Sequence, residues 1–167
     1  MTTPQNIMVA TDFSACSDEA VRHGFELAEK LGAKVHLVHV VSMEVLPLET
    51  LSHETLGDAE MLAEQKLRAI AKSWRATGRV GEVRTPVGEP AAMILLMSEQ
   101  IGADLIVLGT HGRRGIRRLL VGSVAESVVR EAACPVTVLR HHEEEDGHAH
   151  HAYLRRWATD TQPPMKR

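Results

Sequence analysis

The sequence predicts an α/β fold: an open five-stranded parallel sheet with helices on both faces. Three observations carry this reading. Short, nearly continuous apolar runs recur five times along the chain, at Ile7–Ala10, Val35–Val41, Val83–Val87, Leu105–Leu108 and Val136–Leu139. Runs of that length, rich in Val, Ile and Leu, suit strands buried on both faces. Segments of helical periodicity lie between them, and glycines or prolines punctuate their ends. Such alternation builds βαβ units.

The first helical pattern places Ala20, Gly24, Leu27, Ala28 and Leu31 on one face, with Gly32 as its stop. Between strands two and three, Ala63, Leu67, Ile70, Ala71 and Trp74 repeat the pattern and Gly78 ends it. Met43–Gly57, mixed apolar and acidic, is expected to be a surface excursion ahead of that helix. Pro90 sits at a first-turn position before Ile94, Leu95, Ser98 and Ile101, and Gly102 follows. Ser123-Val-Ala-Glu126 has the spacing of a capping box and opens a last helix through Val128, Val129 and Ala132.

The 167 residues amount to about one domain, large enough to fold without disulfide or metal. Nineteen basic against 22 acidic residues give a net charge of −3, which argues against a generic nucleic-acid or membrane-surface binder. Cys16 and Cys134 are too few for a disulfide framework and read as reduced, packed thiols. With no signal-like segment and no apolar run of bilayer length, the expected location is cytoplasmic.

In an open parallel sheet, ligands sit beyond the carboxyl ends of the strands, where strand order reverses. After strand one comes Thr11-Asp12-Phe13-Ser14. After strand four comes a stretch with Gly109, Gly112, Gly115 and Gly122, then Ser123, and with Arg113, Arg114, Arg117 and Arg118 among them. Glycine lets backbone N–H groups approach an anion, and a helix N-terminus adds its dipole, so this loop reads as a phosphate cradle. It is not a P-loop, since no lysine occurs between Lys72 and Lys166. Nor does a Gly-x-Gly-x-x-Gly motif follow strand one.

The spacing Gly109-x2-Gly112-x9-Gly122-Ser123 resembles the nucleotide-binding signature of the universal stress protein family, in its ATP-binding branch. Ile-Met-Val-Ala-Thr-Asp-Phe-Ser at 7–14, His-Val-Val at 39–41, Val-Gly-Glu-Pro-Ala at 87–91, the block at 103–112 and Cys-Pro-Val-Thr-Val-Leu at 134–139 resemble its other blocks. The likeness spans about residues 5–140, so the chain divides into a domain over 1–140 and a tail over 141–167. It implies a Rossmann-like sheet of the adenine nucleotide alpha hydrolase type, and ATP as the ligand, with Mg or Mn as a candidate companion. On this resemblance Asp12 bonds the nucleoside and Val40 meets adenine through its backbone. Gly109 and Gly112 meet ribose and phosphates, Arg113 adds a phosphate contact, and Gly122 and Ser123 hold phosphates at the last helix. Where the family often has proline two residues before the aspartate, this chain has Ala10.

Plainer readings stand beside these. Asp12 could cap the first helix, with Ser14 and Ser17 as rivals, and Ser123 could be only a cap. His111 reads as a loop histidine and His39 as a satisfied core residue. In the tail, His141, His142, His148, His150 and His151 lie among carboxylates, a composition able to chelate transition metals without the spacing of a closed zinc site. The functional expectation is a nucleotide-dependent stress or signalling module, with a slow Mg-dependent ATP hydrolase as the alternative. A phospho-receiver domain is set aside, because Gly88-Glu89-Pro90 follows strand three where that chemistry needs a phosphoacceptor Asp. Strand five, over Pro135–Arg140, is expected to be an exposed apolar sheet edge of the kind that pairing removes, and the family resemblance implies a two-fold homodimer through it.

Overall fold

The computed structural model describes residues 3–42, 53–110 and 122–140, and residues 153–155 by their backbone. Five parallel strands form the sheet: β1 (Asn6–Ala10), β2 (Lys34–Val38), β3 (Val80–Arg84), β4 (Leu105–Gly109) and β5 (Val136–Leu139). The helices between them are α1 (Ala15–Leu31), α2 (His53–Ser73), α3 (Pro90–Ile101) and α4 (Ser123–Glu131). Spatial order is β3-β2-β1-β4-β5, so the winding reverses between β1 and β4. The α/β sheet read from the sequence is the architecture found.

Each sheet face buries its own cluster. Ile7, Val9, Val35, Leu37 and Val107 pack with Phe25, Ala28 and Leu67 of α1 and α2. Met8, Ala10, Val38, Ile106 and Val138 pack with Ile94, Met97 and Val128 of α3 and α4. Alternate residues of one strand therefore enter different clusters, which explains why the strands read as unbroken apolar runs. In α1 the buried face is Cys16, Ser17, Ala20, Val21, Gly24, Phe25 and Ala28, with Leu27 and Leu31 at its margin.

Three expectations are corrected. β3 begins at Val80 and its ladder stops at Arg84, because Pro86 has no N–H to donate; Val87 makes only an isolated bridge with Val41. α2 begins at His53, so the end of the Met43–Gly57 excursion is helical; Gly57 faces open space, where glycine costs about 1 kcal/mol without breaking the helix. Strand five is not the sheet edge, because β6 (Tyr153–Arg155), from the tail, pairs antiparallel with it.

β5 also carries an unbalanced hydroxyl. Thr137 is fully buried and its Oγ1 has no hydrogen-bond partner among the described residues. Thr137→Val removes a desolvated donor at near-constant shape and is expected to stabilise the fold by about 1 kcal/mol in denaturant titration.

Two histidines tie stability to pH. The His36 ring bridges the sheet: its Nδ1 accepts from Glu82 N–H (3.1 Å), which leaves Nε2 to donate to Asn6 Oδ1 (3.2 Å). Burial holds His36 below its ordinary value of 6.5, with Glu82 opposing and Arg84 reinforcing that shift, and burial lowers His23 as well. Below the ordinary value the unfolded chain takes up protons that the folded chain refuses, so stability is full above pH 6.5 and falls as pH drops beneath it. Urea midpoints at neutral and mildly acidic pH should show the decline, and His36→Gln should flatten it.

Candidate functional site

The reversal between β1 and β4 opens a crevice at the carboxyl ends of both strands. On the β1 side the chain turns sharply. Thr11 N–H donates to Val38 O (2.9 Å), the last rung towards β2, and Thr11 Oγ1 accepts from Phe13 N–H (3.0 Å). Phe13 has φ 63°, a left-handed conformation that costs an ordinary side chain free energy. That turn reverses the chain into α1, and its ring stacks on His39 (centroids 4.3 Å) with Lys66 Nζ 5.2 Å above it. His39 Nδ1 bonds Thr11 O at 2.8 Å, so the side chain is satisfied and half-buried.

Asp12 is not the helix cap. Ser14 caps α1 in a reciprocal capping box with Ser17, and Asp12 Oδ1 accepts from Ser14 N–H at 3.1 Å. The half-buried carboxylate is thus held by Ser14 at the start of α1, two residues past the end of β1.

Val40 lies just past β2. His39 N–H and Val41 N–H both point to the β3 side, donating to Arg84 O (3.0 Å) and Pro86 O (2.9 Å). Extended backbone alternates, so the N–H and C=O of Val40 face the other way, towards β1. Neither has a hydrogen-bond partner among the described residues.

On the far side, β4 ends at Gly109 for a packing reason. A Cβ there would meet Cys16 Sγ at 2.7 Å and the Cys16 carbonyl carbon at 3.2 Å, so α1 can lie this close only over glycine. Thr110 follows, buried, donating its N–H to Leu139 O and accepting from Gly122 N–H, each at 2.7 Å. Those bonds clamp together the two ends of residues 111–121. Sequence reading passed over Thr110, whose position between Gly109 and His111 was the available signal.

Gly112 and Arg113, like Arg114, Arg117, Arg118 and His111, lie outside the described residues. So do the tail histidines; among the described residues no three His, Cys, Asp or Glu side chains cluster as metal ligands.

Gly122 is the N-cap of α4, with φ −69° and ψ 153°, and no side chain caps the helix. The expected capping box is therefore absent: Ser123 is the first helical residue and is exposed. The Ser123, Val124 and Ala125 N–H groups have no partner among the described residues, whereas Glu126 N–H begins the internal ladder on Gly122 O (2.9 Å). Three orphan donors and the positive end of the dipole are what an anionic group requires, so the site fits a phosphate chain chemically. A concavity of about 590 Å³ beside Arg68, Lys72, Arg75 and Val83 lies at the α2–β3 side, and none of the candidate site residues read from the sequence lines it.

The sequence profile of the universal stress protein family matches residues 4–140. The chain belongs to the universal stress protein family. Universal stress protein MJ0531 of Methanocaldococcus jannaschii is 35% identical over 144 residues, covering 81% of this chain and 82% of that protein. A universal stress protein solved in complex with cAMP superposes with a TM-score of 0.63 at 25% identity, covering 86% of this chain and all of the other. One from Archaeoglobus fulgidus in complex with dAMP gives 0.59 at 28% identity, covering 82% and 98%. Nucleotide binding thus occurs among structural neighbours of this universal stress protein. No helix among its described residues is long and apolar enough to cross a membrane.

Proposed function

We propose that this universal stress protein binds ATP in the β1–β4 crevice and works as a nucleotide-dependent stress-response module in the cytoplasm. The observation that carries the reading is the start of α4, where the Ser123, Val124 and Ala125 N–H groups have no partner among the described residues, on the helix that follows β4. Asp12 stands across the crevice to take the nucleoside hydroxyls. Val40 offers a backbone N–H and C=O with no partner among the described residues, the two groups that the edge of adenine can engage. The neighbours bound to cAMP and dAMP support an adenine nucleotide. Gly112 and Arg113 complete the phosphate contacts by the family resemblance, and a divalent cation such as Mg or Mn would ride on the phosphates. The described side chains at the crevice supply one carboxylate, Asp12, already held by Ser14, and no paired acid and base. Binding with little turnover therefore fits better than rapid hydrolysis.

Titration calorimetry with ATP, together with a phosphate-release assay, tests this. Micromolar binding with negligible turnover is the expected result; absent binding, or turnover of many per second, overturns the reading. Asp12→Ala should weaken ATP by about 1.5–3 kcal/mol, the worth of a hydrogen bond to a charged group.

A further inference from the structure

Asp12 and Val40 each stand two residues beyond the last register pair of β1 and β2, Ala10 with Val38. One further rung follows, Thr11 N–H to Val38 O, and past it His39 and Val41 donate to β3 instead. The backbone ladder between the two strands thus stops short of both nucleoside positions. A side chain spans the gap. The His39 ring bonds Thr11 O at 2.8 Å and stacks on Phe13, with centroids 4.3 Å apart and 30° between the planes. Thr11 O is a carbonyl oxygen and only accepts, so His39 Nδ1 carries the hydrogen and donates it. Thr11 and Phe13 are the two chain neighbours of Asp12, and His39 is the neighbour of Val40.

Phe13 shows that the ring is wanted, and not the turn alone. At φ 63° glycine or asparagine would sit with less strain than phenylalanine. A strained residue persists where its surroundings over-determine it. Here they do: Phe13 packs against the cluster under α1 and α2, Lys66 Nζ lies 5.2 Å over its ring, and His39 stacks on it.

We propose that His39 is a positioning residue of the nucleotide site: by holding both neighbours of Asp12, it fixes that carboxylate relative to Val40. The proposal rests on the nucleotide reading and gives a task to a residue that need not touch the ligand. Two chain ends that are ordered in advance spare the ligand the cost of ordering them on arrival. Loss of the imidazole therefore costs affinity, and does so through Asp12.

Titration calorimetry with ATP on the full chain tests this in wild type, Asp12→Ala, His39→Ala and the double variant. His39→Ala is expected to weaken ATP roughly tenfold or more. The double variant should fall short of the product of the two single losses by roughly threefold or more, because both changes disable the same contact. His39→Asn keeps a donor near the place of Nδ1, and His39→Phe keeps the stack, so each should recover part of the affinity. Phe13→Asn keeps the left-handed turn without the ring and should weaken ATP much as His39→Asn does. Circular dichroism of each variant should match wild type. A role in stability alone would lower the unfolding midpoint and leave the affinity of the folded variants unchanged, and that result overturns the proposal. So do single losses that simply multiply in the double variant. Wild type that binds no ATP, or Asp12→Ala that binds as tightly as wild type, overturns the nucleotide reading itself and this role with it.

Discussion

Gly122→Val is expected to abolish ATP binding while leaving the protein folded. Gly122 sits at φ −69° and ψ 153°, an extended conformation that a β-branched residue adopts without strain. Its Cα stands at the head of α4, so a valine side chain there crowds the space in front of the Ser123, Val124 and Ala125 N–H groups. A phosphate oxygen must come within about 3 Å of those donors to bond them. The fold loses only the difference between a good and a poor N-cap, about 1 kcal/mol. Circular dichroism should match wild type, and titration calorimetry with ATP should show no heat of binding. Undiminished affinity in Gly122→Val would remove α4 from the site, even if ATP still bound elsewhere.

Phe25→Ala is expected to cost about 3–5 kcal/mol of stability, a large share of what a single domain possesses. Phe25 is fully buried, in the cluster formed by α1, α2 and one sheet face. Its ring lies 4.6 Å from that of Trp74 with 3° between their planes, so truncation opens a cavity and strips the indole of its stacking partner. Nothing in the surrounding strands can move in to fill it, because Ile7, Val9 and Leu37 are fixed by the ladder. Guanidinium unfolding followed by tryptophan fluorescence reads the loss.

The α/β plan was legible because both faces of every central strand are covered, which leaves an apolar signature of strand length. The helix stops at Gly32 and Gly102 were legible too, since each takes the left-handed conformation that glycine suits; α2 instead ends at Ser73, ahead of Gly78, which closes the short 3-10 turn Arg75–Thr77. Positions set by tertiary geometry were harder to read. The choice of Ser14 over Asp12 as cap of α1 depends on the Phe13 turn. The loss of the Ser123 box follows from Gly122 reaching back to Thr110, a bond between residues whose proximity the local sequence does not encode. β6 escaped notice because three residues in a charged, His-rich stretch have no periodicity to detect. Asp12, Val40 and Gly109 lie at or just past the carboxyl ends of β1, β2 and β4, and Gly122 and Ser123 at the start of α4.

The Thr110–Gly122 bond makes residues 111–121 a cassette. Because Thr110 is itself anchored to Leu139, the entry and exit of that segment share one fixed frame on the sheet. Once the ends of a loop are pinned, doubling its length costs only about 0.6 kcal/mol in closure entropy. Insertions, deletions or wholesale grafts between the two anchors should thus leave Asp12 and the head of α4 where they are. The framework and the segment between the two anchors can diverge at separate rates.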